Sequence, residues 1–266
     1  MNGQQKIVAV VGDVHGRWAE LAAQLDVARG FLDDPHDLEA ILQVGDAEAT
    51  LGEAQLQEVY AKPDRHRVGD FHRVVSGEVV LPAPLYFIGG NHEPWRSLDR
   101  NGGLVRGGAP VGPGVHFLGR SGVVEVAGMR IAFLSGVRRA SGPTLRSARE
   151  RDALGSPRED GFYVQDEVDD LMRVGSADLL LTHDWPRGSG FVHKTALAGD
   201  EVVAAAVRHL RPIAGFHGHM HRREDFDLDG TRVFARGCWG QGVPEWVCLF
   251  RVDLGAREAR PFRHVA

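Results

Sequence analysis

With 266 residues, 43% of them hydrophobic and 25% charged, the chain has enough apolar material for a large core, as one α/β domain or two small ones. A net charge of −5 argues against coating nucleic acid through bulk charge, yet leaves room for a local basic groove. Two cysteines, Cys238 and Cys248, are too few for a disulfide framework or a zinc knuckle; with no apolar run near the roughly 18 residues of a membrane span and no cleavage-site pattern, a cytoplasmic protein is expected.

In chain order, KIVAVV (6–11) reads as a buried β-branched strand stopped by Gly12. WAELAAQLDVAR (18–29) then sets Trp18, Leu21, Ala22 and Leu25 on one helical stripe. EAILQV (39–44) and PLYFI (84–88) are further strands, ending at Gly45 and at Gly89 and Gly90. This rhythm predicts parallel strands with helical crossovers. VHFLG, GVVEVAG and MRIAFLSG (115–136) are glycine-separated hairpin strands, which make the sheet mixed. ADLLLT (177–182) and PIAGF (212–216) are buried strands around a helix over 200–210 that has Asp200 near its start, and TRVFA and EWVCLFRVD close the chain. Residues 137–165 carry no period, and stretches of that length are usually functional or disordered.

Five of these strands run into Asp, His or Asn. GDVHG (12–16) supplies Asp13 and His15, GD (45–46) supplies Asp46, and GGNHE (89–93) supplies Asn91, His92 and Glu93. HDWP (183–186) brings His183 and Asp184, and HGHMH (217–221) brings His219 and His221. Singly, each reads as a turn or a cap. Together, at the carboxyl ends where open α/β sheets hold their sites, turns alone do not account for them. Imidazole, carboxylate and amide oxygen without thiolate suit manganese, iron or zinc. Two such cations ~3.5–4 Å apart need several ligands and a bridging carboxylate, and they clamp phosphate and lower the pKa of a bridging water.

GDVHG, GD, GGNHE, THD and GHMH, in this order over residues 12–221, resemble the signature blocks of the calcineurin-like metallophosphoesterase superfamily. The resemblance implies an α/β fold: a four-layer αββα sandwich with two mixed β-sheets and a dinuclear metal site at the carboxyl ends of the strands. It implies one domain over 1–266 with a substrate-facing insertion at 137–165. By motif position, Asp13, His15 and His221 would hold one divalent cation, Asn91, His183 and His219 the other, with Asp46 bridging. His92 would face the scissile phosphate and assist the leaving oxygen. Glu93 would orient an imidazole, and Asp184 would do the same or cap a turn.

Residues 64–93, 117–136 and 181–190, with SGE…P…FIGGNHE and HDWPR, are similar to the narrower RNA lariat debranching enzyme branch. This implies a phosphodiesterase acting on RNA, DNA or a nucleotide, with 2′,5′-branched RNA among the candidates. The 137–165 segment lies where that branch carries its lariat-recognition loop. Asp13 stands where the branch carries Cys, and so completes a two-metal ligand set.

From Arg96 to Arg151, ten arginines stand against Asp99, Glu125 and Glu150, as either a phosphate-binding rim or solvated loop charge. Arg187, just past HDWP, is the first candidate for a phosphate contact because a guanidinium takes two oxygens at once; Arg138 and Arg139 follow. The rival activity is a phosphomonoesterase, since GDVHGRW and GNHE also resemble protein phosphatases and dinucleoside-tetraphosphate hydrolases. Those follow the bridging Asp with VDRG, where this chain reads GDAEAT. A non-catalytic scaffold is the third reading, disfavoured by the presence of every ligand and of His92. Neither a membrane nor an obligate protein partner is expected.

Overall fold

The computed structural model describes residues 5–63, 66–100, 109–140, 142–193, 195–238 and 246–265. Among them the strands are β1 (Gln5–Val11), β2 (Leu38–Gln43), β3 (Leu85–Phe87), β4 (Ala109–Gly112), β5 (Val115–Phe117), β6 (Ser121–Val126), β7 (Met129–Leu134), β8 (Leu179–Thr182), β9 (Val192–His193), β10 (Ala196–Leu197), β11 (Ala214–His217), β12 (Glu224–Leu228), β13 (Thr231–Ala235), β14 (Val247–Asp253) and β15 (Glu258–Val265). The α-helices are α1 (Trp18–Arg29), α2 (Glu53–Leu56), α3 (Phe71–Val75), α4 (Trp95–Arg100), α5 (Ala148–Asp152), α6 (Pro157–Asp160), α7 (Gln165–Met172) and α8 (Glu201–Leu210).

One sheet has the order β15-β14-β1-β2-β3-β5-β4, parallel from β1 through β5 and antiparallel toward both edges. The other has the order β12-β13-β11-β8-β7-β6, parallel from β13 through β7. Side-chain alternation along these strands builds the layers. On β1, Ile7, Ala9 and Val11 join Trp18, Leu21 and Leu25 of α1 in one core, while Val8 and Val10 face the second sheet. On β8, Leu179 and Leu181 point inward between the sheets, and Leu180 packs with Val168 and Leu171 of α7 and Val207 and Leu210 of α8. Helix, sheet, sheet and helix therefore stack in the expected αββα order.

Strands and helices differ from the sequence expectation at the sheet edges and in the short helices α2 to α7, which it does not place. β4, β12 and β15 have no counterpart in it: EDFDL reads as polar, and EARPFRHV contains Pro261, which an edge strand tolerates. The closing strand expected over 245–253 runs from Val247, and Glu245 lies outside the described residues. The aperiodic 137–165 stretch holds α5 and α6 rather than plain coil. Its Arg151 is buried and donates to Glu167 at 2.8 Å and to the Phe162 carbonyl at 2.9 Å. Gly161 packs against the backbone of Asn91, so this segment abuts one of the motif loops.

The two sheets are joined by Phe216, Phe234 and Phe250, whose ring centroids lie 4.8–5.6 Å apart. All three are essentially inaccessible to solvent. Phe250→Ala is expected to lower unfolding free energy by about 3–5 kcal/mol in urea titration; a loss below about 1 kcal/mol would mean that the inter-sheet core re-packs freely.

Candidate metal centre

The register of the parallel strands puts the motif loops side by side. Val11 pairs with Gln43 and Gln43 with Phe87, so the loops after β1, β2 and β3 start at one level. His217 pairs with Thr182, which aligns the loops after β11 and β8. The loops are then cross-tied. The Val14 and His15 amides both donate to the Asp46 carbonyl, at 3.2 and 2.9 Å, and the Gly218 amide donates to the His183 carbonyl at 3.2 Å. His15, Asp46, Glu48, His219 and His221 all adopt positive φ, between 47° and 69°. Such strain in non-glycine residues gathers at functional sites.

At the centre are Asp13, His15, Asp46 and His221, each with a donor atom within 4.8 Å of the others'. His221 Nε2 lies 3.1 Å from Asp13 Oδ2 and 3.0 Å from His15 Nε2. The Asp13 carboxylate accepts the His219 amide at 3.1 Å on both oxygens. On the other flank, His183 Nε2 stands 3.3 Å from Asp46 Oδ1. His183 Nδ1 is 2.8 Å from the Val44 carbonyl, so Nδ1 donates to that carbonyl and Nε2 is the nitrogen turned toward Asp46. The His219 ring packs edge-on to His183 with centroids 5.2 Å apart. The His92 amide donates to Asp46 Oδ1 at 2.9 Å, and the His92 ring stacks on Tyr60 at 6.0 Å.

These contacts explain the paired glycines before Asn91. A Cβ on Gly90 would collide with the Asp46 carboxylate and the His183 ring, and one on Gly89 with the Trp95 indole. Trp95 Nε1 donates to the Gly90 carbonyl at 3.1 Å and Trp185 Nε1 to the Gly218 carbonyl, so both indoles brace loops from buried positions.

The electrostatics describe a buried anion awaiting positive charge. Burial alone would raise the pKa of Asp46, but the charges of His183 and His92 hold it well below the usual carboxylate range. Burial lowers His183, and Asp46 and Asp13 outweigh it, taking the imidazole up to about 9. His15 likewise rises well above its ordinary value through contacts with Cys238 and Glu48 and the charges of Asp46 and Asp13, against burial. Asn91 Oδ1 is buried and makes no hydrogen bond among the described residues, and His183 Nε2 is buried with the Asp46 carboxylate 3.3 Å away. An orphaned amide oxygen beside a carboxylate and imidazole cluster fits divalent cations.

Several of the expected site residues have other partners. Glu93 contacts no imidazole among the described residues: it accepts the amides of Ala47 at 2.6 Å, Ala49 at 3.2 Å and Gly90 at 3.3 Å, tying the Asp46 loop to the Asn91 loop. Burial, then the Asp46 charge, push it up to about 8 against those amides. The carboxylate that does hold an imidazole is Glu48, 2.9 Å from His15 Nδ1; GDAEAT gave no cue to it beyond its closeness to Asp46. Asp184 caps, accepting the Trp185 amide at 3.0 Å and the Arg138 amide at 3.1 Å. Arg138 and Arg187 both have partners for their guanidinium groups. Arg138 pairs with Asp200 at 3.1 Å; Arg187 donates to the Leu197 carbonyl at 2.5 Å and stands 3.5 Å from Glu201. Arg139 has no ion pair among the described residues. Arg96, Arg100, Arg120 and Arg151 pair with Asp160, Glu58, Asp99 and Glu167, which weakens the basic-rim reading, and Arg106 lies outside the described residues. His217 is structural: burial takes it down to about 3, and its Nδ1 sits 2.6 Å from the Thr182 hydroxyl.

Residues 7–223, more than half of the chain, match the calcineurin-like phosphoesterase family. The chain belongs to that family. A lariat debranching enzyme of Entamoeba histolytica is 26% identical to this phosphoesterase over 249 residues, covering 86% of this chain and 68% of that protein. The human lariat debranching enzyme is 30% identical over 232 residues, 80% of this chain and 42% of that one. The Drosophila melanogaster enzyme is 34% identical over 185 residues, 68% and 33%. The chain thus spans less than half the length of the human and fly relatives. In fold, the phosphoesterase resembles TT1561 of Thermus thermophilus, with TM-score 0.57, 15% identity and coverage of 97% and 98%. It also resembles Plasmodium GAP50, an anchor in the inner membrane complex, with TM-score 0.50, 13% identity and coverage of 94% and 81%. Those likenesses concern the fold alone. No helix among the described residues is long and apolar enough to cross a membrane.

Glu93→Ala would strand three buried amides and is expected to cost more than about 2 kcal/mol in denaturant titration, whereas Glu93→Gln keeps an acceptor and loses about 1 kcal/mol or less. Equal losses in the two variants would show that the bonds to Ala47, Ala49 and Gly90 contribute nothing.

Proposed function

We propose that this phosphoesterase is a metal-dependent phosphodiesterase whose substrate is RNA, with the 2′,5′-phosphodiester of branched RNA as the first candidate bond. The observation that carries the reading is Asp46, a buried carboxylate flanked on one side by Asp13, His15 and His221 and on the other by His183 Nε2 at 3.3 Å and the buried Asn91 Oδ1, which makes no hydrogen bond among the described residues. On this reading Asp13, His15 and His221 hold one divalent cation and Asn91, His183 and His219 a second, with Asp46 shared. The donors suit manganese, iron or zinc. Bound cations supply Lewis-acid polarisation of the phosphoryl oxygens and a nucleophile at neutral pH.

The chain's own residues do the rest. The hydrogen bond from the His92 amide to Asp46 Oδ1 fixes the backbone beside that carboxylate, and the Tyr60 ring supports one face of the His92 imidazole. As the ester P–O bond breaks, His92 in its imidazolium form would give one ring proton to the leaving sugar oxygen and be left as neutral imidazole. Glu48 holds the His15 ring through Nδ1, the Val44 carbonyl holds His183, and Glu93 keeps the Asp46 and Asn91 loops in contact. The choice of a diester over a monoester rests on the similarity to lariat debranching enzymes, and the choice of the 2′,5′ linkage follows from their name.

The test uses manganese-loaded protein with a chromogenic phosphodiester, the matching monoester, and paired 2′,5′-branched and linear RNAs. Diester and branched RNA should be hydrolysed in preference, and His92→Ala should lose roughly 10²–10⁴-fold in kcat while metal content stays near wild type. A monoester preference, or an unimpaired His92→Ala enzyme, would contradict the proposal.

A further inference from the structure

The donor chemistry expected for this site contains no sulfur, yet the fold delivers one. Cys238 follows β13, outside all the sequence motifs, and is paired with Asp13 in an isolated parallel bridge. The approach of the two chains is close: the Asp13 amide donates to the Gly237 carbonyl at 3.2 Å, and Gly12 lies so near Gly237 that a Cβ on Gly12 would collide with that carbonyl. Cys238 is buried, 4% exposed, and its sulfur lies within 4.8 Å of ring nitrogens of His15 and His221, which themselves lie within 4.8 Å of each other. The same two imidazoles also belong to the group with Asp13 and Asp46. The sulfur therefore sits on the flank of the first cation position.

Packing alone is a weak account of this residue. Cys248, the other cysteine, lies in β14 among the apolar side chains between the two sheets. Cys238 instead stands beside two histidines, with Asp13 next to it across the backbone bridge, in a group that mixes imidazole and thiol donors as zinc and iron sites do.

We propose that the Cys238 sulfur is a ligand of the cation held by Asp13, His15 and His221. This rests on the metal reading of that site and extends it, by giving the first position a soft donor that the second, with Asn91, His183 and His219, lacks. Cys238 binds as thiolate and its proton passes to solvent when the cation enters, so the first position prefers zinc, iron or cobalt over manganese.

Cobalt titration of the reduced, metal-free protein tests this without reference to activity. Visible d–d bands report that cobalt is bound at all, and a near-ultraviolet sulfur-to-cobalt charge-transfer band reports the thiolate. Wild-type protein and Cys248→Ala should show both. Cys238→Ser should keep the d–d bands, lose the charge-transfer band, and bind the first cobalt equivalent more weakly by at least the roughly tenfold that loss of an outer-sphere partner costs. Visible bands without the charge-transfer band in wild-type protein would overturn the sulfur ligand while leaving the metal site intact. Absence of both would remove the metal site and the sulfur ligand together. The wild-type spectrum decides even where Cys238→Ser fails to fold.

Discussion

Everything at the carboxyl edge of the two sheets is arranged around one buried carboxylate. Asp46 is 1% exposed, adopts a left-handed backbone conformation at φ 53°, and is faced by His183 Nε2 at 3.3 Å, His15 Nε2 at 3.9 Å and the His92 amide at 2.9 Å. A carboxylate withdrawn from water is costly unless charge or hydrogen bonds compensate. Here the compensating groups are the imidazoles of His183 and His15 and the His92 amide, and imidazole is a side chain suited to hold a divalent cation. Glycine at position 90 and the brace of Glu93 on the Ala47, Ala49 and Gly90 amides both keep the neighbouring loop close enough for that compensation.

The sandwich turns this local constraint into a site. Parallel strands in each sheet send their carboxyl ends the same way, and equal register levels the loops. The inter-sheet core of Phe216, Phe234 and Phe250 holds the sheets together, so that loops of β1, β2 and β3 meet loops of β8 and β11. Neither sheet alone carries a complete ligand set: Asp13, His15, Asp46 and Asn91 come from one and His183, His219 and His221 from the other.

Much of this was legible in the sequence because buried parallel strands read as short apolar runs, and the glycine at each strand end marks where the backbone turns into the site. Asp13, His15, Asp46 and His221 converge as their motifs imply, and α1 runs over the expected residues. What was illegible depends on contacts between distant segments. Glu48 meets His15 only because its own backbone takes a left-handed turn, at φ 47°; Cys238 reaches His15 only through the bridge to Asp13. Arginines rich enough to suggest a phosphate rim instead find carboxylates far along the chain, as Arg138 finds Asp200 and Arg120 finds Asp99, pairings that charge counting cannot foresee. Edge strands such as β15 escape because a half-exposed, proline-containing segment has no apolar period.

The central claim is that Asp46 is shared between two cations. The measurement that reaches it most directly is an anomalous difference map from crystals of the manganese-loaded protein. The account predicts two peaks, one on each side of the Asp46 carboxylate, the first beside Asp13, His15 and His221 and the second beside Asn91, His183 and His219. A single peak that leaves the His183 side empty, or peaks that do not touch Asp46, would contradict it.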